Sequence, residues 1–312
     1  MKKPAPDFVI VGAPKCGTTA LYATLQNHPD LALSTIKEPY FFSEEYPKRR
    51  EMVDPADYAA LFSHARDGQL RGEASAIYLS SETAIPAILR LRPDAKFIAL
   101  VRDPVEMYIS WHNECLKSLD EDEKDPERAW RLQEKRAAGQ IPRLCKEPGY
   151  LQYRKICSLG AQVRRLFDLV PPHQRLVLLW DDIQFYPADV HKQIAAFLSI
   201  SDVGMNSFLR ENTFSIHRSP LVARLARSVF THQALKASRF RLKPFLNKLG
   251  IRPLRWLVDL SLISAPKPIL SEEFRNELIA EFSEDVKLLE KLLNRDLSGW
   301  LRPVYRVRSL SA

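Results

Sequence analysis

A short apolar run, a glycine-bearing loop and a helical pattern follow one another at the start of this chain, and this unit constrains its fold most. Residues 7–12 have the composition of a buried strand, and a helical pattern begins at Thr18 and ends near residue 28. Two later apolar runs, 96–101 and 175–180, have the same character, and a helical pattern follows each. Strands that alternate with helices favour a parallel sheet covered on both faces.

The composition is that of a globular protein. Hydrophobic residues make up 46% of the 312 residues and charged residues 27%, which argues against the disordered and fibrous classes. This length allows one large α/β domain or two ordinary ones, and no repeat or Gly/Ser linker separates two halves. We therefore predict a P-loop-like three-layer α/β fold, with a central parallel sheet flanked by helices, in a single domain over residues 1–312.

Two segments differ from the strand and helix pattern of the rest of the chain. Residues 118–148 are highly charged and poor in apolar periodicity, which indicates a solvated insertion. Residues 271–302 are predicted to form an amphipathic helix that begins at Ser271, followed by a tail. The apolar stripe of that helix consists of Phe274, Leu278, Phe282, Val286, Leu289 and Leu293.

The loop over residues 12–19 has the properties of an anion site. A loop that follows a buried strand and opens a helix presents free backbone N–H groups and the positive end of the helix dipole. Its glycines have the spacing of the first part of the Walker pattern, but Thr18 stands at the Walker lysine position and the cation has moved forward to Lys15. Alternatively, Gly17 merely ends a turn and Lys15 is a solvated surface residue.

Two further motifs follow in the chain. Lys37-Glu-Pro-Tyr-Phe-Phe42 places a carboxylate, Glu38, beside three aromatic residues. Arg102 leaves the end of a predicted strand, and Ser110 lies about two turns along the next helix, so that both can face one dianion. Taken singly, each motif has a structural interpretation: Glu38 as a surface carboxylate paired with Lys37, and Arg102 as one half of an ion pair with Asp103.

Together, and in this order, the three motifs resemble the sulfotransferases that use 3′-phosphoadenosine 5′-phosphosulfate (PAPS), in particular the heparan-sulfate-type enzymes and their bacterial relatives. Residues 14–19 are similar to the family's 5′-phosphosulfate loop. Residues 37–42 are close to its K-E-P-H-F-F element, which supplies the catalytic carboxylate, and Arg102 with Ser110 matches its 3′-phosphate site. The resemblance covers most of residues 7–200 and extends to the C-terminal tail.

The resemblance implies a co-substrate, PAPS, a product, adenosine 3′,5′-bisphosphate, and no metal. It implies Glu38 as general base and Lys15 as the cation at the leaving oxygen. The residues implied to bind the nucleotide are Lys15, Cys16, Gly17, Thr18, Thr19, Arg102, Ser110 and, in a segment that takes the place of a late Gly-rich element, Arg218. Lys37, Glu73 and Ser75 are implied on the acceptor side.

The chain also departs from the family pattern on the acceptor side. Tyr40 replaces the histidine of the carboxylate element, Ser43 stands where some members have aspartate, and Ala74 where some have lysine. The acceptor is therefore not inherited with the motifs. A saccharide, a lipid-linked glycan and a small molecule remain open, as do hydroxyl and amine acceptors and the oligomeric state.

Charge and targeting signals set further expectations. The formal charge of +8 favours an anionic partner, and we expect no nucleic acid. The basic segment 218–256, predicted to be helical, is either a docking surface for an anionic acceptor or membrane lipid, or a solvated face. The first apolar run is too short for a signal peptide or a membrane span, so we expect a cytoplasmic protein. The four cysteines have no metal-binding spacing.

Two other functional classes fit part of the sequence. A P-loop kinase would explain the glycine spacing, although the lysine is displaced and Arg102 occupies the strand end where a Walker B carboxylate would stand. A non-catalytic polyanion-binding module would explain the basic charge, but it gives Glu38 and its aromatic neighbours no role.

Overall fold

The computed structural model describes residues 5–50, 52–204, 207–208, 215–217 and 262–303. The chain forms two compact units. The first consists of Met1–Tyr108, Tyr153–Glu211 and Leu270–Ala312, and the second of Ile109–Gln152 and Asn212–Ile269. The single domain over residues 1–312 stays a prediction.

A parallel sheet is the centre of the first unit. Its strands are β1 (Phe8–Gly12), β2 (Leu31–Leu33), β3 (Leu70–Ala74), β4 (Lys96–Val101) and β5 (Arg175–Leu179). Their order in the sheet is β2-β3-β1-β4-β5, and every neighbouring pair is parallel. The predicted fold class, a central parallel sheet flanked by helices, is confirmed.

The described residues form the following helices: α1 (Thr18–Leu25), α2 (Pro55–Ala60), α3 (Ala84–Leu91), α4 (Pro104–Lys117), α5 (Pro126–Arg131), α6 (Gln133–Ala137), α7 (Tyr153–Cys157), α8 (Leu159–Leu169), α9 (Trp180–Phe185), α10 (Pro187–Leu198) and α11 (Glu272–Leu293). Of these, α5 and α6 lie in the second unit. Short 3₁₀ turns lie at Pro148–Leu151, Pro172–Gln174 and Ser298–Leu301.

The central strand β1 is apolar along its whole length because both of its faces are covered. Each of its five residues is buried, and it pairs with β3 on one side and β4 on the other. Burial of this kind stabilises a strand at about 25 cal/mol per Å² of apolar surface removed from water. The strands expected at 7–12, 96–101 and 175–180 are all present, whereas β2 and β3 were not predicted.

The last helix, α11, packs against α8. The Ser271 hydroxyl accepts a hydrogen bond from Phe274 N at 3.1 Å, as its capping pattern predicted. Asp285 accepts from Gly160 N at 2.7 Å and Ala161 N at 2.8 Å, so α11 supplies a cap for the start of α8. A Cβ at Gly160 would overlap the backbone carbonyl of Asp285, which makes glycine necessary at this crossing. The predicted stripe is buried from Phe274 to Leu289.

The second unit contains the charged segment 118–148 and an antiparallel pair, β6 (Ser215–His217) with β7 (Leu262–Ser264). The expectation that 118–148 is a solvated insertion was wrong for several of its charges. Asp120 is 0% exposed, and Glu121 pairs with Arg136 at 2.6 Å in a buried contact. Charges that are paired in this way can leave water, which a composition count does not reveal.

Among the described residues, no helix is both long and apolar enough to cross a membrane. The basic segment 218–256 lies outside the described residues, and its two interpretations stay open.

Candidate nucleotide and catalytic site

The predicted phosphate loop connects β1 to α1. Gly17 is the N-cap of α1 at φ 94°, and it makes no side-chain cap. The first amides of a helix have no partners within the helix, so here they point outward together with the positive end of the helix dipole. A left-handed φ favours glycine at this position. The loop therefore has the arrangement that binds a phosphate group.

Backbone hydrogen bonds hold the loop at the carboxyl edge of the sheet. Ala13 N donates to Leu100 O at 2.7 Å, and Leu79 N donates to Val11 O at 2.7 Å. Since β1 is the middle strand, the loop leaves the sheet at its centre. Ligands of open parallel sheets bind beyond the carboxyl ends of the strands, which is where this loop lies.

Trp180 packs against the second glycine of the loop. It is the first residue of α9, directly after β5, and a Cβ at Gly17 would overlap its ring. The guanidinium carbon of Arg102 lies 6.0 Å from the centroid of the same ring. Gly17 is therefore needed both for its backbone conformation and for the close approach of the indole.

Arg102 follows β4 and reaches the phosphate loop. Its Nη1 donates to Lys15 O at 3.1 Å, and within the described ranges no carboxylate pairs with it. Asp103 instead caps α4, accepting from Val105 N at 2.8 Å and from Glu106 N at 3.3 Å. The Arg–Asp ion pair that the tripeptide also allowed is thus not formed. The guanidinium charge lies beside the loop and is available to an anion.

The residues between the two glycines have different roles. Lys15 is half-buried and has φ 63°, whereas Cys16 is fully buried. Burial raises the pKa of the Cys16 thiol from 9.0 to about 12, although the charges of Arg102 and Lys15 oppose it. A thiol of this kind stays protonated near neutral pH and is a poor nucleophile. The backbone N–H of Cys16 donates to Ala13 O at 3.3 Å within the loop, so its predicted contact with the nucleotide stays a prediction.

Glu38 lies in the loop that follows β2. Its Oε1 accepts from Lys37 Nζ at 2.6 Å, and its Oε2 accepts from the Tyr40 hydroxyl at 2.6 Å. The pairing with Lys37 that the sequence also allowed is present, but one third (33%) of the Glu38 side chain remains exposed. Each carboxylate oxygen has two lone pairs, so the group can still accept a proton from a bound molecule.

The backbone around Glu38 is unusual. Glu38 has φ 61° and Tyr40 has φ 53°, both in the left-handed region that non-glycine residues seldom adopt. Glu38 N donates to Ala74 O at 2.8 Å, and Tyr40 N donates to Ser75 Oγ at 3.3 Å. Such conformations persist only where the surrounding structure holds them, and here the last residue of β3 and the residue after it do so.

Glu73 and Ser75, which were predicted on the acceptor side, lie next to this loop, and both are 0% exposed. Ser75 Oγ donates to Glu73 Oε1 at 2.6 Å, and the Tyr58 hydroxyl donates to Glu73 Oε2. Burial raises the pKa of the Glu73 carboxyl, while hydrogen bonds from neighbouring hydroxyls oppose the shift. Neither side chain has surface open to an acceptor in this structure, so a direct acceptor role for them stays a prediction.

The remaining predicted residues are placed as follows. Thr18 is 4% exposed and Thr19 is half-buried, both in the first turn of α1. Ser110 lies in α4 and belongs to the second compact unit, so its pairing with Arg102 stays a prediction. Arg218 lies outside the described residues. In the part of the chain that the structure describes, no group of three or more His, Cys, Asp or Glu side chains could hold a metal ion.

Comparison with known families bears directly on this site. The family model for the sulfotransferase domain matches residues 5–229 of the sequence, which include the phosphate loop, Glu38 and Arg102. The chain belongs to this family. Its resemblance to heparan-sulfate-type sulfotransferases, read from three motifs, is thereby confirmed at the level of the family.

Several sulfotransferases are similar over part of their length. Membrane-associated sulfotransferase kil1 of Dictyostelium discoideum is 31% identical over 39% of this chain and 25% of its own length. Human heparan sulfate glucosamine 3-O-sulfotransferase 3B1 is 35% identical over 36% of this chain and 28% of its own. Human bifunctional heparan sulfate N-deacetylase/N-sulfotransferase 3 is 29% identical over 62% and 22%. The matches thus span only about a quarter of each of these relatives.

A solved structure agrees with the fold over nearly the whole chain. The sulfotransferase from Alicyclobacillus acidocaldarius superimposes with a TM-score of 0.68 at 24% identity, covering 95% of this chain and 99% of that one. Because the sequence identity is only 24%, this likeness establishes the fold of the chain and not its activity.

Sequence reasoning missed three aromatic residues around the site. Trp180 was assigned to the end of a strand, although its position after a buried strand at the carboxyl edge was a signal that it could line a ligand site. Tyr58 reaches Glu73 from α2, and no local pattern connects these two residues. Tyr78 lies five residues after Glu73, but its interaction with the carboxyl was not predicted.

Proposed function

We propose that this chain transfers the sulfuryl group of PAPS to a hydroxyl or amine of an acceptor. One observation carries the proposal: Arg102, with no carboxylate partner among the described residues, reaches across from β4 to the carbonyl of Lys15 in a loop whose helix amides point outward. The sulfotransferase family of the chain supports the same reaction.

The residues present fit a nucleotide with phosphate at both ends. The amides of the loop and the hydroxyls of Thr18 and Thr19 would bind the 5′-phosphate, and Lys15 would lie at the oxygen that leaves. Arg102, and with it Ser110, would bind the 3′-phosphate through charge-assisted hydrogen bonds. Protein cations and amides would bind both ends of the nucleotide, so we propose that no metal is needed.

The nucleotide supplies the sulfuryl group and carries away negative charge. Glu38 would take the proton of the acceptor hydroxyl or amine as the new bond to sulfur forms, and the bond from sulfur to the bridging oxygen breaks. Lys15 and the loop amides would stabilise the charge that develops on that oxygen. Lys37 and Tyr40, which donate hydrogen bonds to the two oxygens of Glu38, would keep the carboxylate oriented.

The acceptor is proposed only by class. Human 3-O-sulfotransferase 3B1 is named for heparan sulfate glucosamine, whereas this chain departs from the family pattern on the acceptor side at Tyr40, Ser43 and Ala74. A saccharide, a lipid-linked glycan or a small-molecule alcohol fits these residues. Peripheral membrane contact through 218–256 and a cytoplasmic location remain proposals on the sequence alone.

A transfer assay tests the proposed function. Wild-type protein is incubated with PAPS that carries radiolabelled sulfur and with heparan polysaccharide, a glycolipid fraction, an aryl alcohol and cell extract in parallel. We expect label in at least one acceptor fraction, with one adenosine 3′,5′-bisphosphate released for each sulfuryl group moved. Label that stays in PAPS, or appears only as free sulfate in every reaction, would contradict transfer.

A further inference from the structure

The carboxylate of Glu73 is the centre of a buried polar cluster below the loop that carries Glu38. Glu73 is 0% exposed, and three hydroxyl groups surround it, one from α2 and two from the turn that follows β3. Ser75 Oγ donates at 2.6 Å and the Tyr58 hydroxyl donates to the other oxygen. The Tyr78 hydroxyl lies close enough to lower the pKa of the carboxyl by hydrogen bonding.

Two of these hydroxyls also hold the backbone of the loop. Ser75 Oγ accepts from Tyr40 N at 3.3 Å, and the Tyr78 hydroxyl oxygen accepts from Phe42 N at 3.1 Å. The two amides belong to alternate residues of the loop, on the C-terminal side of Glu38. The loop is thus fastened at two backbone points by groups that interact with Glu73.

The third hydroxyl is that of Tyr58, whose ring contacts Phe41, the residue between Tyr40 and Phe42. Tyr58 stacks on Phe41, with ring centroids 4.3 Å apart and planes inclined by 15°. Tyr58 is fully buried, so its ring is fixed where its hydroxyl meets Glu73. Three consecutive loop residues, 40, 41 and 42, therefore each contact a different partner of one carboxylate.

The chemistry of the cluster sets the direction of its hydrogen bonds. An ionised carboxylate only accepts, and a serine or tyrosine hydroxyl has one proton to donate. When the Ser75 hydroxyl donates its hydrogen bond to Glu73, the lone pairs of Oγ remain to accept a hydrogen bond from Tyr40 N. A glutamine amide in place of the carboxylate would point an N–H group at one of the hydroxyls. That hydroxyl would then accept a hydrogen bond from the amide instead of donating one, and the amide would compete with the backbone N–H for its lone pairs.

We infer that Glu73 is a positioning residue, which holds residues 40–42 through Ser75, Tyr58 and Tyr78 and so keeps Glu38 in the left-handed conformation that presents its carboxylate. The inference rests on the proposed function for the role of Glu38 as base. The Glu73 side chain itself is 0% exposed in this structure. It acts on the rate through the geometry of the loop, because small misplacements of a catalytic group cost large factors in rate.

Hydrogen–deuterium exchange tests the inference without an acceptor. Exchange is measured by mass spectrometry on fragments that cover residues 37–43 in wild type, Glu73→Gln, Ser75→Ala and Ser75→Thr. We expect the Tyr40 and Phe42 amides to exchange about tenfold faster in Glu73→Gln, because the hydroxyls that accept from them would be drawn to the new amide group. The Tyr40 amide is expected to exchange about tenfold faster in Ser75→Ala, which removes its hydrogen-bond acceptor. Ser75→Thr keeps the hydroxyl and is expected to exchange as wild type does.

A matched control separates positioning from general loosening. Asp285→Asn alters a half-buried carboxylate that caps α8 through Gly160 N and Ala161 N. We expect it to lower thermal stability but to leave exchange at 37–43 unchanged. The inference is overturned if Glu73→Gln and Ser75→Ala exchange like wild type, or if Asp285→Asn loosens the loop equally. If Glu73→Gln does not fold, Ser75→Ala with Ser75→Thr decides.

Turnover gives the second reading and keeps the two proposals apart. In the transfer assay, Glu73→Gln is expected to lower kcat by about ten- to a hundredfold with the KM for PAPS within twofold, because only the loop of the base moves. Retained kcat in a variant with a loosened loop would overturn the positioning role. Retained turnover in Glu38→Gln would instead overturn the role of the base, and the exchange results would stand unchanged.

Discussion

Replacing Glu38 by Gln is expected to lower the rate of sulfuryl transfer by about 10² to 10⁴, the range that a general base contributes. Glutamine keeps the size of the side chain and can accept the hydrogen bonds of Lys37 and Tyr40 only in part, but it cannot take the acceptor proton. The affinity for adenosine 3′,5′-bisphosphate should stay within about twofold, since the carboxylate lies outside the phosphate loop. Initial rates with labelled PAPS and calorimetry with the bisphosphate measure the two quantities.

Glu44→Gln is the matched control for this variant. Glu44 lies six residues along the chain and its side chain is exposed, so the same chemical change should leave the rate at the wild-type level. Most of the wild-type turnover in Glu38→Gln would show that another group, or water, takes the proton.

Replacing Lys15 by Ala is expected to reduce transfer by about 10² to 10³, because a fixed donor at the oxygen that leaves is worth that much in other group transfers. The effect should fall mainly on kcat, since the charge on that oxygen grows as the bond to sulfur breaks. Lys15→Arg should not restore the rate, because a planar guanidinium cannot take the place of a compact ammonium group. Steady-state kinetics with PAPS as the varied substrate measure both constants.

Lys155→Ala removes a lysine of the same charge whose ion pair with Glu82 is largely exposed. It should leave kcat and KM unchanged, because exposed pairs contribute little and none of the proposed contacts involves it. If Lys15→Ala changed only the KM for PAPS and kept kcat, the lysine would serve binding alone, and the stabilisation of the leaving oxygen would have to come from the loop amides.

The sequence predicted those parts of the fold that depend on local patterns. Strands β1, β4 and β5 have largely apolar sequences, and β1 and β4 are buried because both faces of the parallel sheet are covered. The capping pattern at Ser271 marked the start of α11. Strand β2 has only three residues, and β3 carries the charged Arg71 and Glu73. Both therefore lack the apolar signal on which the prediction relied.

The candidate site was predictable where its motifs are contiguous. The phosphate loop and the carboxylate element each lie within about eight consecutive residues. The position of the loop between a strand and a helix already indicates that its backbone amides can bind a phosphate. The cluster at Glu73 depends on Tyr58 and Tyr78, which arrive from a helix and from the turn after β3 and meet one carboxylate in space. The burial of charges in 118–148 was not predicted either, because the charged residues pair with partners that are distant in sequence, as Glu121 does with Arg136.

Isothermal titration calorimetry with adenosine 3′,5′-bisphosphate and with ATP plus Mg²⁺ tests the central claim, that the loop and Arg102 form a clamp for a nucleotide with a 3′-phosphate. We expect the bisphosphate to bind about ten- to a hundredfold more tightly than ATP, without added metal, because only it offers a phosphate to Arg102. Arg102→Ala should remove most of that preference. Tighter binding of ATP with Mg²⁺, unchanged in Arg102→Ala, would contradict the clamp and favour a P-loop kinase.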